Sequence, residues 1–279
     1  MIDLFKHRIA SFALFFVVMV MFTTASYADI LLSPLKVVIE GRDRSGQVVL
    51  INSGDKTNTY NIAWEQYDQN PETGGYDFID KAKTPGRIDL QDFAVFTPRK
   101  VTLEPGERQI IRVGIRRPAD LADGEYKSHI KFTALPDETV EYQTMQEGNT
   151  AAAKVITSFS IPAVYRVGEY DSQVTIGDPS FGVQPTTGLL QLMVPLTHTG
   201  KHGVLGEFEI YYQSKGEEEK YLMSFQNVNI FPETSRKDVA IPLDSYGFDP
   251  GTLRIVYFKA EGDKNDYVKI AEKSIPVVN

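Results

Sequence analysis

The sequence predicts an all-β protein, and three observations carry that reading. Apolar residues alternate with polar ones in short runs. β-branched and aromatic types are frequent in those runs. No stretch after Asp29 has the period of a long amphipathic helix. Strands this short and this numerous belong to a sandwich or a barrel. In the first half the candidate strands are 31–40, 47–52, 59–67, 93–97, 100–103, 108–115, 126–135 and 155–167. Turn signals separate them: Asn52-Ser53-Gly54-Asp55, residues 71–75, and Thr84-Pro85-Gly86. The sharpest is Glu104-Pro105-Gly106, with Val101 and Leu103 alternating before it and Ile111 and Val113 after it. Proline presets φ for a turn and glycine accepts positive φ, so this tripeptide reverses the chain. Residues 118–124 could form one helical turn, and Asp123-Gly124 then leads into the next strand.

A second series follows at 172–176, 189–198, 206–213, 225–230, 236–241, 252–260 and 267–278, with a charged hairpin tip at 217–220. Asp123-Gly124 feeds the strand through Ile130 and Phe132. Asp249-Pro250-Gly251 feeds the strand through Ile255 and Tyr257. This echo fits two immunoglobulin-like β-sandwich domains, 29–168 and 169–279, with the boundary near Gly168. Residues 137–153 contain few large apolar side chains and read as a long loop.

The first 28 residues are a targeting segment. Lys6 and Arg8 form a positive start, residues 12–22 are almost wholly apolar, and Ser26 and Ala28 are the small residues before the cleavage point. The apolar run is short for a bilayer span, and no later run is apolar enough, so the mature chain is expected in the periplasm and not inserted in a membrane. The chain of 279 residues carries a net charge of −8 and has no Lys/Arg block, which argues against a nucleic-acid partner. It has no cysteine. In an exported protein that excludes disulfides, thiolate metal sites and a cysteine nucleophile.

No nucleotide-binding, hydrolase or zinc-protease motif is present, and nothing assembles a nucleophile, a base and an orienting group. His198 and His202 bracket a turn and lack a nearby third ligand, so they read as solvated turn residues. The expectation is no enzyme, no cofactor and no metal. Two other classes stay open. One is a structural or adhesive surface sandwich, although such a subunit would carry an N-terminal extension, and here the first strand begins soon after Asp29. The other is a hydrolase with a convergent site.

Residues 31–166 resemble the first domain of PapD-like periplasmic pilus (fimbrial) assembly chaperones. The resemblance is carried by the segment around Glu104-Pro105-Gly106, by the strand running from Asp123-Gly124 to Leu135, by residues 35–41 and by Tyr165-Arg166. It is general over the second half. It implies a chaperone that caps pilus subunits by lending its last first-domain strand, that is, by donor-strand complementation. It implies delivery to an outer-membrane usher, and it implies that the long loop helps to engage the subunit.

The resemblance also implies site residues. Lys36 matches a basic position on the first strand that binds the subunit's C-terminal carboxylate. Lysine gives a point charge where a bidentate fork is commoner. Pro162 falls where the second cation belongs. The donor register gives the small residues Ala153, Val155 and Thr157, with Phe159 and Ile161 supplying apolar alternation further on. Lys127, His129 and Lys131 share one face of the preceding strand. They read as a solvated row, from which Lys131 could supply the missing charge. The expected client-binding set is therefore Lys36, Val155, Thr157, Phe159, Ile161 and Lys131. Glu125 and Arg166 match an interdomain ionic link whose third member is an acid of the second domain, with Glu261 and Asp263 as candidates.

The leader pattern generates the first prediction. Periplasmic protein should have the intact mass of a chain beginning at Asp29, and a membrane-bound species with the leader attached would refute it.

Overall fold

The computed structural model describes residues 30–135, 157–243, 247–261 and 266–278. The leader, the loop 137–153, Val155 and Asp263 lie outside the described residues, as does the side chain of Glu261. Eleven strands precede Gly168: β1 (Leu31–Ser33), β2 (Val37–Ile39), β3 (Ser45–Ile51), β4 (Asn58–Glu65), β5 (Tyr67–Gln69), β6 (Tyr76–Phe78), β7 (Ala94–Thr97), β8 (Lys100–Leu103), β9 (Arg108–Ile115), β10 (Gly124–Leu135) and β11 (Ser158–Val167). Eight follow: β12 (Ser172–Ile176), β13 (Ser180–Val183), β14 (Leu190–Gly200), β15 (Val204–Ser214), β16 (Lys220–Ile230), β17 (Arg236–Pro242), β18 (Gly251–Glu261) and β19 (Asp266–Val277).

The first group forms two sheets, β1-β3-β9-β7 and β2-β11-β10-β4-β8, with β5-β6 as a separate hairpin. Alternation decides which side chains meet between the two sheets. Val48 and Leu50 of β3, Ile111 and Val113 of β9, and Ile130 and Phe132 of β10 all point inward and share one core. Burying each such side chain contributes about 1.5–3 kcal/mol. Buried Asn52 ties the base of this core, its Nδ2 donating to the carbonyls of Lys56 at 2.7 Å and Leu103 at 2.9 Å.

The second group repeats the plan. β12 and β13 line one edge of β14 while β17 pairs with its other edge, and β16-β15-β18-β19 forms the facing sheet. Leu192, Val194, Phe208, Ile210, Leu253 and Ile255 meet between them. The protein is therefore two β-sandwiches, each with its own core. Among the described residues no helix is long and apolar enough to cross a membrane.

Several elements differ from the sequence reading. The run 31–40 is two strands. β1 pairs with β3, and β2 pairs with β11 in the other sheet, because Pro34 interrupts the ladder between them. Glu104-Pro105-Gly106 does turn the chain, with Gly106 at φ 77° and Glu107 N donating to Glu104 O at 3.0 Å. It carries the chain from one sheet to the other, since β8 pairs with β4 and β9 with β3. Residues 118–124 hold a turn and no helix. The short 3-10 turns lie instead at Lys81–Lys83 and Leu90–Asp92.

Gly206 of β15 illustrates how closely the second sandwich is packed. A Cβ there would stand 2.3 Å from the carbonyl oxygen of Phe258. Gly206→Ala is expected to cost about 1–3 kcal/mol through forced backbone movement. Urea unfolding followed by tyrosine fluorescence measures it, and an unchanged midpoint would contradict the close approach.

Candidate functional site

The site lies on the face of β2, β11 and β10 that turns away from the first core. On β11, Ala163, Tyr165 and Val167 belong to the core, so Pro162, Val164 and Arg166 face the other way. The opposed residues of β10 on that face are His129, Lys127 and Glu125. On β2 the same face carries Val38. It packs with Val164, Leu205 and Phe231, the last two from the second sandwich. This face is thus the floor of a cleft between the sandwiches.

One wall is an ionic knot. Glu125 and Arg166 are directly opposed across the β10–β11 ladder, and Arg166 Nε donates to Glu125 Oε2 at 3.0 Å. The two side chains are 1% and 11% exposed. The same Oε2 accepts the main-chain N–H of Gly203 at 2.9 Å, and Arg166 Nη2 donates to the Gly203 carbonyl at 2.9 Å. Arg166 Nη1 reaches Glu40 Oε2 at 3.2 Å. Among the described residues the third member of this link is therefore the backbone of Gly203, with Glu40 from the first sandwich, and not an acid of the second. Only glycine fits at position 203, because a Cβ would stand 2.7 Å from Ile230 O and 2.8 Å from Glu125 Oε1.

His202 and His198 stand beside this knot, and neither is solvated. His202 Nδ1 accepts from Asp171 N at 3.0 Å, its Nε2 lies 3.0 Å from the Val167 carbonyl, and its ring stacks on Tyr170. His198 Nε2 lies 2.8 Å from the His202 carbonyl. These buried rings brace the chain where it passes from β11 to β12. Among the described residues no three His, Cys, Asp or Glu side chains gather as metal ligands.

The other wall is built from the β5-β6 hairpin and the second sandwich. Gln69 Nε2 donates to Asn229 O at 2.8 Å, its Oε1 accepts from Phe231 N at 3.3 Å, and its carbonyl accepts from Thr234 Oγ1 at 3.1 Å. Lys127 is ion-paired with Glu233, and its Nζ lies 3.9 Å from the Phe231 ring centroid. Lys237 Nζ donates to Asn229 O at 3.0 Å, and burial pushes its pKa down to about 8. The expected solvated row Lys127-His129-Lys131 is thus corrected. Lys127 and His129 are buried, and Lys131 is paired with Glu65 Oε1 at 2.7 Å. The charge of Lys131 is thus already met by an acid of the first sandwich. His129 sits between the rings of Tyr67 and Tyr76, at centroid distances of 5.1 and 5.3 Å. Burial, followed by the charge of Lys127, lowers its pKa to about 3.

Beside the ionic knot, on its β2 side, is a cavity of about 620 Å³. Lys36, Glu40, Asp43, Arg166, Tyr170 and Lys259 are among the residues lining it. Lys36 has no ion pair among the described residues. Its pKa is lowered by burial first and by Arg166 second, with Glu207 acting in the opposite direction. Continuing the β2–β11 register one residue beyond Ala163↔Val37 sets Lys36 beside Pro162.

The edge of β11 completes the site. Ala134 N donates to Thr157 O at 3.1 Å, so Thr157 belongs to a hydrogen-bonded pair of the antiparallel ladder. Period two then directs the main-chain groups of Ser158, Ser160, Pro162 and Val164 away from β10. β2 covers Ala163–Tyr165 alone. Among the described residues no strand pairs with the outer side of Ser158 and Ser160. Pro162 costs the β10 ladder nothing, since its missing N–H would have faced outward. The expected client contacts divide here. Thr157 is exposed, Phe159 is 38% exposed, and Leu35 beside the edge is 54% exposed, whereas Ile161 is buried in the core.

Sequence reasoning missed Gly203, Tyr170, Lys259, Gln69 and Glu233. Gly203 acts through its main chain, which leaves no mark in residue type. The other four lie in the second sandwich or in a hairpin with three-residue strands, outside the matched motifs.

No family model matches the chain, and no curated protein matches it. Among solved structures it is similar to the Pseudomonas aeruginosa CupB2 chaperone, at 10% identity and a TM-score of 0.45, covering 86% of this chain and 97% of that one. It is similar to the E. coli chaperone DraB at 10% identity and a TM-score of 0.42, covering 89% and 95%. It is also similar to a Salmonella enterica structure of the SafA pilin in complex with the SafB chaperone, at 9% identity and a TM-score of 0.43, covering 92% and 99%.

His129 gives the cleft a pH signature. Its pKa is about 3 in the folded protein and near the ordinary histidine value of 6.5 when unfolded, so the unfolded chain binds the extra proton between these values. Stability therefore falls as pH drops through that window, by about 1.4 kcal/mol per pH unit from this group alone. Urea midpoints for the wild type and His129→Phe, taken from pH 7 to pH 4.5, should diverge, with the variant losing less. Parallel curves would show that His129 titrates alike in both states.

Proposed function

We propose that the chain is a periplasmic, non-enzymatic chaperone. It caps a pilus or fimbrial subunit that lacks a strand, and it presents that subunit to an outer-membrane usher. The observation that carries this reading is the half-open edge of β11. Among the described residues no strand pairs with the outward main-chain groups of Ser158 and Ser160, which lie next to exposed Leu35 and Phe159, and the edge runs directly into a cleft holding Lys36. A subunit missing a strand has the complementary defect, an apolar groove walled by unpaired backbone groups. A borrowed strand satisfies both, and it keeps the subunit's own edges from pairing with each other.

The row Thr157, Phe159 and Ile161 explains how one strand serves two cores. Ile161 fills the chaperone's own core, Phe159 lies at its boundary, and Thr157 lies beyond it. A groove placed alongside would take over this row where the chaperone's sheet leaves it. Lys36 then faces the end of the client's last strand, where a chain-terminal carboxylate gives a monoanion in a partly desolvated site. The two walls of the cleft hold the sandwiches at a fixed angle, so that edge and cation act together.

Co-purification from periplasm with mass spectrometry of the bound chains tests the reading. Ser160→Pro removes an outward N–H without touching the ladder to β10. It should leave the protein folded and lower subunit capture about tenfold. Lys36→Ala should weaken capture several-fold, by about 1 kcal/mol, and less at high salt. Capture unchanged in both folded variants would refute the proposal.

A further inference from the structure

His129 is 3% exposed, and neither of its ring nitrogens has a hydrogen-bond partner among the described residues. A neutral imidazole tolerates such a place better than an imidazolium, whose two N–H donors and charge would all go unmet. The surrounding groups have no acceptor to spare. On β10 itself the neighbour is a cation, Lys127, ion-paired with Glu233 of the second sandwich. β4 sets Glu65 opposite His129, but Glu65 already accepts from Lys131 at 2.7 Å and from the Tyr67 hydroxyl at 2.5 Å. β5 brings Asp68, which is forked by Arg87 through two bonds of 2.6 Å. β11 sets uncharged Pro162 opposite. From the second sandwich comes Lys237, a further cation, held on the Asn229 carbonyl. The ring is also a prop. Tyr67 of β5 and Tyr76 of β6 meet it edge to face, and the Tyr76 ring lies 6.4 Å from that of Phe231. Gln69, two residues after Tyr67, bonds to Asn229, Phe231 and Thr234. The β5-β6 hairpin is thus a wedge between His129 and the second sandwich, tied at its base by the Asp68–Arg87 fork.

We propose that His129 is an acid-sensitive latch: its protonation lifts the β5-β6 hairpin off β10, breaks the Gln69 contacts, and leaves the two sandwiches joined through the Glu125–Arg166–Gly203 knot. The proposal does not depend on what the chain binds, so it stands or falls apart from the chaperone reading. Two states of the hairpin differ in what they allow the ring to do. The docked hairpin takes the ring neutral. The lifted hairpin opens it to water, where it charges like an ordinary histidine. Acid therefore draws the equilibrium toward the lifted form, as any ligand draws a protein toward the state that binds it better. With a pKa of about 3 in the docked state, the ratio of lifted to docked hairpin rises roughly 25-fold from pH 7 to pH 5. That window lies above the ordinary carboxylate range, so the Asp68–Arg87 and Lys127–Glu233 pairs stay charged through it. The angle between the sandwiches is then set by two contacts at neutral pH and by one in acid.

Amide hydrogen exchange on the full mature protein reads the latch at Phe231, whose N–H donates to Gln69 Oε1 at 3.3 Å and is released when the hairpin lifts. Its protection factor, corrected for the intrinsic pH dependence of exchange, should fall roughly 25-fold between pH 7 and pH 5. Low concentrations of urea should change that exchange little, because lifting a hairpin exposes far less surface than unfolding a domain. In His129→Phe the fall should vanish, and His129→Leu gives the same reading with a smaller side chain. The chain has no cysteine, so spin labels can be placed singly at the exposed positions Lys100 and Lys215 through Lys100→Cys and Lys215→Cys. The distance between them should be narrowly distributed at pH 7 and broader at pH 5, and narrow at both in His129→Phe. Equal protection of Phe231 at the two pH values in the wild type would overturn the latch without need of any variant. A fall that persists in both variants would belong to other groups, such as His198 and His202 of the opposite wall, and would also overturn it. So would a steep urea dependence, which would mark unfolding of a whole sandwich, or a label distance unchanged by pH.

Discussion

The junction depends on one buried charge pair. Glu125 is almost fully inaccessible and Arg166 nearly so, and a carboxylate in such a place is tolerable only with its partners present. The partners come from three directions. The Glu125 carboxylate accepts from Arg166 on the neighbouring strand and from Gly203 N on the second sandwich, while Arg166 also donates to Glu40 after β2 and to the Gly203 carbonyl. Because Gly203 supplies a donor to the carboxylate and an acceptor to the guanidinium, it binds to the pair as a pair. Rotating the second sandwich by a few degrees would break both bonds and leave a buried ion short of a partner, which costs several kcal/mol. The pair thus contributes less to net stability than to fixing one angle between the domains.

The opposite wall works by other means. Gln69 uses its side-chain amide and its main chain against Asn229, Phe231 and Thr234, and Lys127 gives up water for Glu233 and the Phe231 ring. A single ionic contact leaves a hinge, whereas two contacts on opposite sides of the β2-β11-β10 face leave no free axis. The cavity lined by Lys36, Arg166 and Tyr170 therefore keeps its place between β2 and the second sandwich.

Much of this was legible in residue order, for definable reasons. Alternation gave the strands. The Glu104-Pro105-Gly106 turn and the segments around Lys36 and Tyr165-Arg166 gave the resemblance, and through it the pairing of Glu125 with Arg166. What alternation could not show is that one face of β10 is covered twice. Lys127 and His129 read as polar outward residues, yet β5-β6 and Phe231 lie over them. A strand's pattern records its own core and not a second body that docks later. The division of residues 31–40 between two sheets was written in Pro34 and went unused. Gly203 could not have been singled out, since a main-chain contact at a glycine is visible only when the neighbouring atoms are in place. His202, bracketed by Gly200 and Gly203, looked like a turn residue because its partners are backbone groups of residues far back in the chain.

An open strand edge is also a hazard, and the composition of β11 limits it. The outward positions are serine, serine and proline. Two donors in a row, followed by a proline that has none, give too short a ladder for the edges of two copies of this chain to hold together through backbone bonds alone. The side chains of Ser158 and Ser160 are small and polar, so these positions add little apolar surface when two such edges meet. On the proposed reading a client would escape this limit by bringing more than an edge: a groove for Phe159 and Thr157, and a terminal charge for the cleft beyond the proline. Selectivity for a strand-deficient partner over another copy of the same chain would then follow from dividing the affinity among a short ladder, an apolar row and a charge, each weak alone.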